Sequence, residues 1–153
     1  MVDEQWKLAG EVLQSYWNIN RATVKLSQQN AASLGITLQQ IGVLNTLVAK
    51  PYITLTELTE SLMSSKSTMS VTIESLVQAG LVDRQVSVHN RREVRLSVTE
   101  DGRSVSRKSI ENANAYRAMS LVLDELEPEE IQTLLKMNQH ILAKLEASQI
   151  EPK

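Results

Sequence analysis

The stretch of sequence that decides the fold runs from residue 54 to residue 82 and reads TLTELTESLMSSKSTMSVTIESLVQAGLV. It opens with Thr54-Leu-Thr-Glu57, a capping box that predicts the start of a short helix. After a three-residue turn, Ser65 or its neighbour Ser64 caps a second helix, and Gly80 stands where helices commonly end in a left-handed residue. Two helices joined by a tight turn are typical of a helix-turn-helix, whose second helix enters the major groove of DNA.

The sequence on both sides extends this motif into a larger module. Upstream, Thr37-Leu-Gln-Gln40 is another capping box and predicts the helix that precedes the motif. Downstream of Gly80 the apolar period changes from 3.6 to 2, which predicts two strands joined by the polar turn His89-Asn90-Arg91-Arg92. Residues 37–99 are therefore predicted to form a helix-turn-helix followed by a two-stranded wing.

The outer thirds of the chain are predicted to be helical. From Glu4 to about Leu34 the apolar residues recur at steps of three, four and seven and make a wide apolar face. Such a helix is about 45 Å long, whereas a compact chain of this size has a radius of gyration of about 15 Å, so we expect it to lean on a second subunit. Thr99 caps a long helix over Asp101 to about Leu126, and Pro128 starts a last one.

Charge and composition narrow the function. The 153 residues contain sixteen basic and eighteen acidic side chains, and the net charge of −2 argues weakly against a nucleic-acid binder. The charge is uneven, however, because residues 62–123 carry a net +3 and residues 124–153 a net −4. We therefore expect the middle segment to face DNA and the acidic end to face away from it.

Several classes of site are excluded or disfavoured. The absence of Cys excludes disulfides, thiolate zinc sites, cysteine nucleophiles and thiol redox switches. No serine elbow or glycine-rich phosphate loop is present, so neither an enzyme nor a cofactor is expected. His89 and His140 have no second ligand at suitable spacing and are expected to be solvent-exposed rather than metal-binding. No signal peptide or membrane span is expected, and the predicted location is cytoplasmic.

The chain resembles the MarR family of bacterial transcriptional regulators over nearly its whole length. Four segments carry the resemblance in family-like order: Gly35–Leu44, Leu55–Leu62, Ser65–Val82, and Asn90-Arg-Arg followed by Leu96–Gly102. The resemblance implies a homodimer that binds pseudo-palindromic operator DNA, usually represses nearby genes, and holds a small-molecule effector between the dimerisation helices and the winged-helix lobe. It implies one MarR-type domain over 1–153, with a DNA-binding lobe at 35–99 and dimerisation helices at 1–34 and 100–153.

Two positions depart from the family pattern. Where the family usually has Asp-x-Arg in the wing, this chain has Asn90-Arg91-Arg92, so a neutral amide replaces the carboxylate that would hold the wing-tip arginine. Asn90 can still accept one hydrogen bond from Arg92, without charge assistance. A recognition-helix position often filled by Arg is Val71, which can contact a thymine methyl but cannot bind guanine through two hydrogen bonds. The resulting hypothesis is an operator rich in A·T pairs.

The predicted DNA contacts fall in two groups. Small hydroxyls and one ammonium at a helix N-terminus suit phosphates and base edges, and adjacent arginines at a hairpin tip suit a narrow minor groove. The candidates are Ser65, Lys66, Ser67, Thr68, Ser70 and Val71 in the helix, and Arg84, Arg91 and Arg92 in the hairpin. The alternatives are a solvated first turn and a charged edge that resists strand pairing, with Arg84 either a phosphate contact or an intramolecular partner.

Two functions remain open from the sequence alone. The first is a homodimeric DNA-binding transcriptional regulator, in which Trp6, Tyr16 and Trp17 belong to the dimer core or, alternatively, line an effector pocket. Asn138, inside the apolar stripe of the last helix, sets register across the dimer or points at water. The second is a winged-helix protein-interaction domain that does not bind DNA, for which the acidic net charge is the motivation.

Overall fold

The computed structural model describes residues 4–148, and within them the chain forms seven helices and a three-stranded antiparallel sheet. The predicted fold class, mainly α with a winged helix-turn-helix, is confirmed. The elements in chain order are α1 (Glu4–Ser33), α2 (Leu38–Ala49), β1 (Ile53–Thr54), α3 (Leu55–Ser61), α4 (Lys66–Gln78), β2 (Val82–Val86), β3 (Val94–Val98), α5 (Glu100–Glu111), α6 (Asn114–Leu123) and α7 (Pro128–Ala147).

Local capping chemistry sets the helix starts as the sequence predicts. The Thr37 hydroxyl accepts from the Gln40 backbone N–H at 3.1 Å, and the Gln40 side chain accepts from the Thr37 N–H at 2.8 Å. Thr54 and Glu57 make the same reciprocal pair at 3.2 and 2.8 Å. Ser65 caps α4, and Gly80 follows that helix at a φ of 72°, a conformation that glycine adopts without steric cost.

The sheet contains a strand that the periodicity did not predict. Its order is β1-β3-β2, with Ile53 opposite Leu96 and Val82 opposite Val98. The two residues of β1 are too few to show an alternating pattern, and their pairing depends on β3, which lies more than forty residues later in the chain. The strand ties the start of α3 to the wing.

The core of the winged lobe lies between α2, α3, α4 and the sheet. All of these elements contribute fully buried side chains: Val43, Leu44, Leu47, Leu58, Met69, Leu76, Val82 and Leu96. Because they share this core, the recognition helix and the wing form one body. Burial of a side chain of this size contributes about 1.5–3 kcal/mol. Both α4 and the wing are thus anchored to the same apolar cluster.

The long helix predicted from Asp101 to about Leu126 is wrong, because the structure divides it. α5 ends at Glu111, and α6 begins at Asn114. At the break, the Asn112 side chain donates to the Lys108 carbonyl at 3.2 Å, and the Ala113 N–H bonds the Ile110 carbonyl at 3.3 Å. An asparagine that binds nearby backbone groups competes with continuation of a helix. The apolar spacing is kept across the break, so periodicity alone did not detect it.

A buried polar junction joins α1, α2 and α5. The Asn30 side chain donates to the Ser109 carbonyl at 2.9 Å, and the Ser106 hydroxyl donates to Asn45 Oδ1 at 2.7 Å. Asn30, Ser106 and Ser109 are all buried. Buried polar groups are tolerated when their hydrogen bonds are made, so this junction fixes how α1 and α5 meet the winged lobe.

The chain divides into two compact units, residues up to Ala115 and residues from Tyr116 onward. The second unit contains α7, which starts at Pro128 as predicted and is capped by the side chain of Glu130. Among residues 4–148 no single helix has the length and apolar character to cross a membrane, and α1 and α2, which pass that test only as a pair, are bent by 83°.

Candidate nucleic-acid interface

The first turn of α4 presents a connected group of hydroxyls. The Ser65 hydroxyl accepts from the Thr68 N–H at 3.2 Å and donates to Thr68 Oγ1 at 2.7 Å, and Ser67 Oγ lies 3.2 Å from Ser65 Oγ. These side chains and Lys66 are exposed. Unpaired backbone N–H groups and the helix dipole at an N-terminus attract anions, so this turn has the chemistry to bind a phosphate.

The two faces of α4 differ sharply. Met69, Ile73 and Leu76 are buried in the core, whereas Ser67, Ser70 and Val71 lie on the exposed face. Val71 is 72% exposed, so its methyl groups are accessible to another surface. The exposed face therefore combines small hydroxyls and one methyl-bearing side chain, which can contact base edges, with the carboxylate of Glu74.

The wing tip is ordered by its own backbone and by Asn90. The Ser87 N–H bonds the Glu93 carbonyl at 3.0 Å, and the Glu93 N–H bonds the Asn90 carbonyl at 2.9 Å. The Asn90 side chain accepts from the backbone N–H of Arg92 at 3.1 Å, so the bond expected between these residues is made to the main chain rather than to the guanidinium. Within residues 4–148, no ion pair involves Arg91 or Arg92, and both are exposed.

Arg84 lies on β2 and makes an ion pair with Glu74 on α4. The hydrogen bond and charge of Arg84 lower the pKa of Glu74 below its ordinary value of 4.5. Of the two roles predicted for Arg84, this geometry is that of an intramolecular partner, which links the recognition helix to the wing. Arg95 is similarly engaged, since it donates to Glu93 at 2.6 Å and to the Tyr52 carbonyl at 3.0 Å.

The Arg84–Glu74 pair predicts a pH effect on stability. Because the pKa of Glu74 is lowered in the folded state, the pair stabilises the fold above the unfolded value of about 4.5, and this stabilisation is lost as the pH falls through the lower folded value. We expect Arg84→Met to remove part of the loss of thermal stability between pH 6 and pH 3. The measurement is the melting temperature of both proteins across that range, and parallel curves would contradict the assignment.

Three residues that position α4 were missed as functional residues by the sequence analysis. Gln40 was recognised only as part of a capping box, yet its side chain also donates to Ser75 Oγ on α4 at 3.0 Å. Gln39 gave no signal in the sequence, because its partners Ser64 and Thr72 lie in the turn before α4 and on α4 itself. Glu74 gave none because its partner Arg84 lies on β2. Only the packing of α2 and β2 against α4 brings these groups together.

The histidines and tryptophans singled out from the sequence are all exposed. His89 and His140 are exposed as predicted, and residues 4–148 contain no group of three or more His, Cys, Asp or Glu placed to hold a metal ion. Trp6 and Trp17 are 74% and 57% exposed on α1.

An open cavity of about 640 Å³ lies where α1 ends and α2 begins, and Gln28, Ile36 and Gln39 are among its lining residues.

Comparison with known proteins decides the family. The sequence profile of the MarR family matches residues 34–93. The multiple antibiotic-resistance repressor MarR from Listeria monocytogenes is 30% identical, with 95% of this chain and 100% of that chain covered and a TM-score of 0.69. The chain belongs to the MarR family of winged-helix transcription regulators.

Other MarR family structures share the fold. A MarR family transcription regulator at 18% identity reaches a TM-score of 0.80, with 95% and 97% of the two chains covered. A mutant of MepR from S. aureus, solved bound to an oligodeoxyribonucleotide, is 20% identical, with a TM-score of 0.59 over 88% of this chain and 97% of that one. No curated protein matches the sequence.

Proposed function

We propose that this MarR family protein is a homodimeric repressor that binds a pseudo-palindromic operator and is released from it by a small-molecule effector. The proposal rests mainly on two neighbouring elements, α4 and the wing, which both expose residues suited to DNA. The exposed face of α4 holds Ser67, Ser70 and Val71, and the wing next to it holds Arg91 and Arg92 with no acidic partner among residues 4–148. Helix and hairpin suit adjacent grooves of one duplex.

The proposed contacts assign a groove to each element. Ser65, Lys66, Ser67, Thr68 and Ser70 bind phosphates and base edges in the major groove, and Val71 packs on thymine methyl groups. Arg92, with Arg91, enters the flanking minor groove, where narrow A·T steps attract arginine. Arg84 acts through Glu74 and orients the wing rather than binding a phosphate.

A homodimer is supported by apolar surface that a monomer would leave in water. Along α1, Trp6, Leu13, Trp17 and Ile19 are between 41% and 74% exposed, and only Asn30 and Ala31 of its thirty residues are buried. In the second unit, α7 exposes a further apolar set: Leu134, Leu135, Met137, Leu142 and Leu145. Large exposed apolar surfaces mark interaction sites, and a symmetric dimer would space two recognition helices about one duplex turn apart. Residues 1–34 and 100–153 are the proposed dimerisation segments, and 35–99 the DNA-binding lobe.

Repression and effector release extend the proposal. The relative from Listeria monocytogenes is named as a repressor, and the MepR mutant was solved with DNA, which supports a similar role here. The open cavity at the end of α1 is lined by residues of both α1 and α2, so an effector bound there would contact a proposed dimerisation helix and the winged lobe. An effector that favours a different spacing of the two recognition helices would weaken DNA binding by a population shift. A regulator with this role works in the cytoplasm.

The test is a fluorescence-anisotropy titration of the protein with a labelled random-sequence duplex at low salt. We expect binding at micromolar concentration or below, followed by recovery of a preferred duplex from a random pool. The acidic net charge of −2 favours the alternative, a winged-helix protein-interaction domain without DNA binding. A dimer, shown by analytical ultracentrifugation, that does not bind any duplex at this concentration would support that alternative.

A further inference from the structure

Gln39 lies on the first turn of α2 and bridges two parts of the helix-turn-helix. Its Nε2 donates to Ser64 Oγ at 3.2 Å, in the turn just before α4. Its Oε1 accepts from Thr72 Oγ1 at 3.3 Å, in the second turn of α4. One side chain of α2 therefore contacts both the entrance and the body of the recognition helix.

The contact with Thr72 lies next to the DNA-facing surface. Successive helical residues are about 100° apart, so Thr68, Thr72 and Ser75 form one stripe between the buried face and the exposed face that carries Val71. Thr72 is only 8% exposed, and its single hydroxyl proton is shared between the Thr68 carbonyl at 2.9 Å and Gln39 Oε1 at 3.3 Å. A bond at this stripe resists rotation of α4 about its own axis.

A second set of contacts also holds α4. Glu74, which lies within the exposed face between Ser67 and Ser70, pairs with Arg84 of the wing, while Gln40 bonds Ser75 on the same flank as Gln39. The recognition helix is thus held by both α2 and β2. Rotation by even a few tens of degrees would change which base edges Ser67 and Val71 meet, but it would leave the phosphate-binding charges nearly in place.

We propose that Gln39 is a positioning residue that fixes the rotation of α4 and thereby sets sequence discrimination rather than overall DNA affinity. The proposal rests on the DNA-binding function proposed above. It separates two properties that a direct DNA contact would change together: the preference for one sequence, which depends on orientation, and the salt-dependent attraction to any duplex, which depends on charge.

The test compares Gln39→Met with the unchanged protein on two duplexes, one recovered by selection from a random pool and one of scrambled sequence. Methionine keeps the length of the side chain and removes both hydrogen bonds. We expect the ratio of the two affinities to fall about tenfold, with the affinity for the scrambled duplex and the slope of log affinity against log salt unchanged. Exposed Gln29 on α1 provides the control, and Gln29→Met should preserve the ratio in a protein that analytical ultracentrifugation shows to be still dimeric.

A second variant shows whether Gln39 acts through the turn. In Ser64→Ala the ratio of the two affinities should fall less than in Gln39→Met, because only one of the two contacts of Gln39 is lost. In the Gln39→Met/Ser64→Ala double variant the ratio should equal that of Gln39→Met alone, because Gln39→Met has already removed the contact with Ser64. An unchanged ratio in Gln39→Met, or an equal loss on both duplexes, would overturn the proposal. If the unchanged protein binds both duplexes with equal affinity, the results would contradict both the proposed recognition of a specific operator and the positioning role of Gln39.

Discussion

Replacing Gly102 by alanine is expected to lower the free energy of unfolding by about 3 kcal/mol. Gly102 is buried in the first turn of α5, where a Cβ atom would overlap the carbonyl oxygen of Leu81 and lie 2.7 Å from Val98 Cγ2. That carbonyl also accepts from the Thr99 N–H at 3.1 Å, so it cannot move without breaking the start of α5. For a chain of this length, the melting temperature should fall by about 10 °C.

Gly42 provides the matched control for this substitution. It also lies within a helix, but a Cβ there would meet only Leu62 Cδ2, at the ordinary contact distance of 3.7 Å. Gly42→Ala should therefore stabilise the protein by about 0.5–1 kcal/mol, since alanine loses less backbone entropy in a helix. Denaturant unfolding of both variants measures the difference. Equal effects of the two substitutions would mean that α5 does not pack on the Leu81 backbone as described.

The largest expected effect on DNA binding comes from removing both wing-tip arginines. Arg92→Ala should weaken operator binding and reduce the slope of log affinity against log salt by about one per subunit, and Arg91→Ala/Arg92→Ala by about two. Neither arginine has an acidic partner among residues 4–148, so their loss should leave the fold intact. Anisotropy titrations at several salt concentrations measure the affinity and the slope together.

The control for this prediction is Arg21→Ala, which removes the same charge from the exposed surface of α1. Arg21 lies outside the winged lobe, so its loss should leave the salt slope unchanged once analytical ultracentrifugation shows that the variant is still a dimer. If the double wing variant and Arg21→Ala have the same slope, the wing does not contact phosphates, and DNA contact would be confined to α4. A wing variant with a lower melting temperature would instead indicate a structural role for the tip.

The sequence predicted the elements whose causes are local. Thr37 and Thr54 begin helices because each hydroxyl binds the backbone three residues later, and Gly80 ends one because its φ of 72° suits glycine. The recognition-helix and wing residues could be located for the same reason. The spacing of apolar and polar residues shows which face of a helix or hairpin is exposed, so the exposure of these residues could be read from the sequence.

Tertiary structure decided the features that depend on partners distant in the chain. β1 forms because β3 pairs with it, and Arg84 is held by Glu74 rather than left free, because β2 packs beside α4. The helix breaks at Asn112, where the side chain binds the Lys108 carbonyl and competes with the hydrogen bonding of a continuous helix. The spacing of apolar residues gives no sign of this competition. By itself the sequence determined where the recognition helix and the wing lie, since capping and periodicity are local, and so which residues are proposed to contact DNA. The orientation of the helix was decided by long-range packing, in which Gln39 of α2 reaches the recognition helix.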